Sequence, residues 1–247
     1  QRGDDGAWSV LGLPGQAAGA DPLQSLEGLG ELQVIDGRLA VVAPALGWNQ
    51  QLPRIDLRLR VDGGRVRAGS RVWASDSGKP VQIAFDFNRD SGDGRAYLAT
   101  GKLDFSEWTS LLQYAGVQVD AGSGRARGWA ELRAHQVVEL TADLDLRQLG
   151  LQGAPLTGHD TAPRVDFKQL QGLMRWRKTG AGWRFDAPRL RVGNPDDAQK
   201  LDGLVVAGGA HFALLAEQIQ AAPLLAVAGL SDRLEPGLRQ WLVQARP

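Results

Sequence analysis

The sequence predicts a mainly β protein of antiparallel strands, each with one apolar and one polar face, accompanied by a few short α-helices. Three observations carry this. Apolar and polar residues alternate with period two through much of the chain, which places one residue type on each face of a strand. Hairpin dipeptides such as Gly63-Gly64 separate the alternating runs. Glycine is abundant, at 32 of 247 residues, as a chain with many turns requires.

Taken in order, Gly30 to Val34 and Arg38 to Ala43 flank Asp36-Gly37, a hairpin signal. Arg54 to Asp62 alternates without a fault: Ile55, Leu57, Leu59 and Val61 face one way, and Arg54, Asp56, Arg58, Arg60 and Asp62 the other. After Gly63-Gly64 a return strand runs to about Ala74. Val81, Ile83, Phe85 and Phe87 alternate with Gln82, Ala84, Asp86 and Asn88, and the turn Asp90-Ser91-Gly92-Asp93-Gly94 leads into a strand from Tyr97 to Phe105. Ser106 to Tyr114 reads as a helix, capped by Asp104 or Ser106 and stopped by Gly116. Gly122-Ser123-Gly124 reads as a turn opening a strand with Ala126, Gly128, Ala130 and Leu132 on one face. Val138, Leu140, Ala142, Leu144 and Leu146 then oppose Glu139, Thr141, Asp143, Asp145 and Arg147.

The stretch 149–163, rich in Gly, Pro, Thr and Asp, is expected to be a long loop. It would divide a β unit over 1–148, with a strand-to-helix junction near 105–115, from a second β unit over 164–247. In the second unit, Leu170 to Lys178 turns at Thr179-Gly180-Ala181-Gly182 and returns through Trp183 to Val192. A loop is expected over 193–202, a strand over Phe212 to Gln220, and closing helices over Pro223 to Leu230 and Glu235 to Gln244. Tyr97 to Leu112 and His211 to Val227 echo each other as strand, polar break and short apolar helix, which suggests a repeated unit.

Lys plus Arg balances Asp plus Glu at 28 each, so no excess positive charge draws the chain to nucleic acid or to anionic membrane surfaces. The absence of cysteine removes disulfides, thiolate metal sites and a Cys nucleophile. The longest apolar run, Ala207 to Leu230, is interrupted by Glu217, Gln218 and Gln220 and does not make a transmembrane helix. Without an initiator Met or a signal sequence, the opening Gln1-Arg2-Gly3-Asp4-Asp5 reads as the inside of a longer protein.

Catalytic chemistry finds little support. His135, His159 and His211 lie at no metal-ligand spacing, and His159-Asp160 sits in a loop where such a pair arises by chance. His135 is expected on the polar side of its strand, solvated. Asp143 and Asp145 share a strand face, but alternation alone produces such pairs. No nucleophile elbow is present, and Gly122 to Gly128 lacks the Lys-Ser/Thr and the helix of a phosphate loop. No catalytic residue, metal or cofactor is therefore expected. Eight tryptophans, among them Trp73, Trp129, Trp176 and Trp183 in strands, read as edge and core packing; an aromatic platform for sugars is the alternative.

The pattern poses a physical problem. Apolar strand faces cost about 25 cal/mol per Å² while wet. Roughly a dozen strands in one sheet would span nearly 60 Å, too much for the few helices to cover. Either a second sheet packs on the first as a sandwich or barrel, which base rates favour, or the sheet curls into a trough that holds apolar ligands.

Several segments resemble the AsmA-like, YhdP-type family of the Gram-negative envelope: Tyr97-Leu98-Ala99-Thr100-Gly101-Lys102-Leu103-Asp104-Phe105-Ser106-Glu107-Trp108, Gly128-Trp129-Ala130-Glu131-Leu132, Leu144-Asp145-Leu146-Arg147, Leu170-Gln171-Gly172 with Trp176 and Gly182-Trp183, and Leu230-Ser231-Asp232-Arg233-Leu234 before Leu238 and Trp241. The likeness spans about residues 50–247. It implies an elongated, strongly curved open groove or half-barrel, an internal fragment of a periplasmic protein anchored to the inner membrane. That protein would carry phospholipid between inner and outer membrane without catalysis. Acyl chains would lie along Ile55, Leu57, Leu59, Val61, Val81, Ile83, Phe85, Phe87, Val138, Leu140, Leu144 and Leu146. The rest of the longer chain would be a partner, and membrane contact would come through segments absent here. A carbohydrate-binding or adhesion-type β sandwich is the alternative.

Overall fold

The computed structural model describes residues 27, 30–43, 48–109, 112–114, 116–156, 161–180, 182–194, 197–217 and 221–244. Among the described residues thirteen strands form: β1 Glu31–Ala43, β2 Trp48–Asp62, β3 Arg65–Trp73, β4 Val81–Asn88, β5 Gly94–Thr100, β6 Leu103–Asp104, β7 Gln113–Tyr114, β8 Val117–Arg133, β9 Gln136–Gln152, β10 Arg164–Thr179, β11 Gly182–Asn194, β12 Asp197–Gly209 and β13 Ala213–Leu215. Hydrogen-bonded neighbours follow the order β1-β2-β3-β4-β5-β8-β9-β10-β11-β12-β13, with β6 and β7 also on β8. The mainly β, antiparallel class is the one the alternation predicts. The chain forms two compact units, residues 1–100 with 129–138 and residues 101–128 with 139–247. This division differs from a split at 149–163. Instead, β9 continues to Gln152, and the β8–β9 hairpin contributes residues to both units.

In the first unit, Asp36-Gly37 is not a hairpin turn. The segments on both sides of it pair with β2, and the register shifts between Val34 and Leu39 mark a bulge. Asp36 adopts φ +56°, its N–H donates to Asp56 Oδ1 at 3.0 Å, and its carboxylate meets Arg54 at 3.2 Å. A β-carbon on Gly37 would lie 2.6 Å from Val34 Cγ1, so the bulge requires glycine there. Asp62 and Arg65 close the Gly63-Gly64 hairpin as expected.

His135 is exposed as expected, but it sits in a turn and not within a strand. Ala134 and His135, at φ +48° and +63°, form the tight turn between β8 and β9. The His135 N–H donates to Gly92 O at 3.0 Å, its Nε2 lies 3.0 Å from Arg89 O, and its ring meets Phe87 edge-on at 5.7 Å. The hairpin tip therefore docks on the β4–β5 turn, which single-strand alternation could not reveal.

In the second unit, Gly122 and Gly124 lie inside β8, not in a turn before it. Their φ values of +137° and +150° let β8 pass close to β9. The helix expected over Ser106 to Tyr114 shortens to one 3₁₀ turn, Phe105–Trp108, with Ser106 N–H donating to Asp104 Oδ1 at 3.0 Å. Gln113–Tyr114 is drawn instead into pairing with β8. The loop expected over 193–202 is mostly strand: β11 and β12 pair up to Asn194 and Asp197. The expected strand from Phe212 is limited to Ala213–Leu215, and residues 218–220 lie outside the described residues.

Two helices follow, Ala221–Ala228 and Pro236–Gln244, close to their expected positions. Glu235 caps the second: its Oε2 accepts the Leu238 N–H at 2.9 Å, and that backbone donor holds the carboxyl below its ordinary pKa. Arg239 joins the helices. It is 7% exposed, and its guanidinium donates to Gly229 O at 3.1 Å, Leu230 O at 3.2 Å, Pro155 O at 3.4 Å and Ala154 O. Its partners include carbonyls left open at the first helix's C-terminus. Arg239→Met should cost about 2–4 kcal/mol, since it leaves those buried acceptors unpaired. Hydrogen exchange should quicken across 221–244; unchanged protection there would show that the clasp is dispensable.

Candidate functional site

Residues directly opposite in antiparallel pairs share a face, so the register defines what each face presents. In the first unit, Leu32, Leu59, Ala68, Phe85 and Ala96 form one apolar row across β1 to β5. Val34, Leu57, Ser70, Ile83 and Leu98 form the next. Four spacings of about 4.8 Å give each row a length of roughly 19 Å. The flanking rows hold Val61 with Val66 and Phe87, and Ile55 with Val72 and Val81.

Exposure varies across these rows. Val61 and Val81 are buried, at 3% and 5%. Phe85 and Leu98, in the central rows, are each 40% exposed, and Leu57, Leu59 and Ile83 are half-buried. The apolar face is thus packed at its margins and open along its middle. Phe87 and Ile55 are half-buried.

In the second unit, Leu140, Trp176, Phe185, Val206 and Leu214 make one row, and Leu144, Gly172, Leu190 and Leu201 another. Ala187, Leu190, Val192, Leu201 and Leu204 form a buried cluster, with Leu224 of the first helix packed against it. Leu146 is buried at 6%, Leu144 is half-buried and Leu140 is 46% exposed; Val138, which belongs to the first unit, is half-buried. The twelve residues expected to line a groove thus all lie on apolar faces, three of them covered. Leu32, Val34, Leu98, Trp176, Phe185 and Val206 share these rows without having been expected to line a groove; the parity of their alternation was the available signal.

The opposite face of the first unit is charged and orderly. Arg65 donates to Asp86 through Nε at 2.7 Å and Nη2 at 2.5 Å. Arg67 reaches Asp62 at 2.5 Å, and Arg71 reaches Asp56 at 2.9 Å. Trp73 belongs to this face yet is buried, because Arg54 and Arg71 lie over its ring at 4.3 and 5.8 Å. Exposed pairs of this kind add little stability each and mainly specify register.

They also predict acid sensitivity. Asp56 is held below its ordinary pKa, first by the Asp36 N–H and then by Arg71 and Arg54. Arg67 does the same for Asp62, and Arg65 for Asp86. A depressed folded-state pKa stabilises the fold above the unfolded value of about 4, and this is lost as pH falls through the folded value. The melting temperature should be flat from about pH 5 to 7 and fall below about pH 4. An Asp56→Asn/Asp62→Asn/Asp86→Asn variant that falls just as steeply would remove these carboxylates as the cause.

Among the described residues, no cluster of three or more His, Asp or Glu side chains could hold a metal ion. His159 and Asp160 lie outside the described residues. No helix among the described residues is long and apolar enough to cross a membrane.

These features define a class: antiparallel meanders with one apolar face left partly open and one face ruled by ion pairs. A family model described as YhdP protein matches residues 12–247, and the chain belongs to the YhdP family. The family is one of the cell envelope, and membership suggests a role in envelope lipid transport. No curated protein and no solved structure matches the chain.

Proposed function

We propose that this chain is a lipid-carrying segment of a periplasmic envelope protein, anchored to the inner membrane through segments outside this sequence. It carries phospholipid between inner and outer membrane, and acyl chains lie along the open apolar rows. The mechanism is passive and non-catalytic: tails slide across the strands while head groups stay toward water. One observation carries the reading: the middle of the first unit's apolar face is open, with Phe85 and Leu98 both 40% exposed. Each acyl methylene fully covered by such a face recovers about 0.8 kcal/mol relative to water, which offsets the cost of leaving the bilayer without a covalent step. Family membership supports the same direction.

Solvent extraction and native mass spectrometry of the purified protein test it. Phospholipid should co-purify, and the protein should take up fluorescent phospholipid from vesicles. A lipid-free protein that takes up none would overturn the proposal.

A further inference from the structure

The charged face of the first unit contains a site of a different kind. Gln33, Arg58, Gly69, Ala84 and Tyr97 are consecutive opposite residues across β1 to β5, one row on the face opposite Phe85. Gly69 and Ala84, at the centre of the row, form a floor of small residues. Arg58 rises on one side of it and Tyr97 on the other. The Tyr97 ring lies 5.6 Å from that of Trp129, tilted at 45°, and Trp129 is 40% exposed. The next row supplies Asp56, Arg71 and Gln82. Arg58, Gly69, Ala84, Tyr97, Asp56 and Arg71 are among the residues that border a concavity of about 570 Å³, and Trp129 adjoins it through Tyr97.

Gly69 is the informative residue. Glycine weakens a strand interior, and it persists where a bulge, a strained angle or a close approach demands it. None of these applies within the described chain. Gly69 lies in unbroken register with Arg58 and Ala84, has no positive φ, and a β-carbon there would meet nothing within 4 Å. The space a side chain would fill is open, and a bound molecule can occupy it.

The walls indicate the chemistry of that molecule. Arg71 is paired with Asp56 and Arg58 with Glu31, so the site carries no surplus charge for phosphate or nucleic acid. The strands are hydrogen-bonded on both sides here, so no free edge awaits a peptide strand. Planar Arg, Asp and Gln groups offer paired donors and acceptors for vicinal hydroxyls. The Tyr97–Trp129 wall offers an apolar surface for the C–H face of a ring. We infer that this row binds a neutral oligosaccharide laid across the strands over Gly69 and Ala84, with a ring against Tyr97 and Trp129. The site lies on the opposite face from the lipid rows, so either assignment can fail without the other.

The test is titration of the ¹⁵N-labelled protein with three soluble probes: chitohexaose, cellohexaose and maltohexaose. At least one should bind in the millimolar range, with shifts at Gly69, Ala84 and the Trp129 indole. Gly69→Val fills the floor with a residue that suits strands, so the melting temperature should hold or rise. Affinity should drop about tenfold or more, as should that of Trp129→Ala. Lipid uptake by Gly69→Val should match the parent. No binding of any probe, or binding that survives Gly69→Val, overturns the inference.

Discussion

Phe85→Asp is expected to leave the protein folded and to empty it of phospholipid. Phe85 stands in the open middle of the first unit's apolar face, 40% exposed, so a carboxylate there can reach water. For a lipid the same change is severe. An acyl chain crossing the Leu59–Ala68–Phe85–Ala96 row would have to cover an ionised group, which costs several kcal/mol when no partner is present. Co-purified phospholipid should fall by about tenfold or more, the equivalent of losing some two methylenes of contact. Val61→Asp is the contrast. Val61 is 3% exposed and packs with Val66, Leu32 and Leu59, so a charge there should cost about 4 kcal/mol or more and unfold the unit. Were Phe85→Asp to unfold the protein as Val61→Asp does, the open-row assignment would lose its basis. Were it to fold and retain its lipid, the path would lie elsewhere.

The second large effect is structural. Gly124→Val should destabilise the second unit by about 3 kcal/mol or more, measured by urea unfolding. Gly124 has φ +150°, a region that side-chain-bearing residues rarely adopt. A β-carbon there would sit 2.2 Å from Asp145 O and 2.8 Å from Leu146 Cα, and the obstacle is backbone, which cannot swing aside. Gly128, four residues along the same strand, serves as the control. Its nearest neighbour would be Thr141 O at 3.9 Å, so Gly128→Ala should change stability little. Equal costs at both positions would mean that strand entropy, and not close approach to β9, explains these glycines.

The contrast between the two glycines shows what could be read in the chain before its structure. Alternation is a local property, so the faces of Arg54 to Asp62 and Val138 to Leu146 were legible, as was the Gly63-Gly64 turn. The role of Gly124 depends on a strand some twenty residues further on, and its neighbourhood in sequence suggests a turn just as well. Asp36-Gly37 misleads for the same reason: a hairpin and a bulge share a dipeptide, and only the partner strand decides between them. Ser106 to Tyr114 has helical spacing, but the pairing of Gln113 and Tyr114 with β8 claims its end. Which apolar faces exist was therefore written in the alternation. Which parts stay open was not, because Val61 and Phe85 occupy equivalent positions in their patterns and differ only in what packs around them.

The order of strands also bears on how the chain comes to be folded. From β1 to β5, and again from β9 to β13, every strand pairs with the one synthesised just before it. Closing each hairpin costs only a short loop's entropy, so pairing need not wait for distant sequence. The exception is β5, whose next neighbour is β8; the segment carrying β6 and β7 must first emerge. A nascent chain can thus zip up strand by strand as it emerges, pause at this detour, and resume. During that wait the outer edge of β5 stays unpaired and open to mispairing.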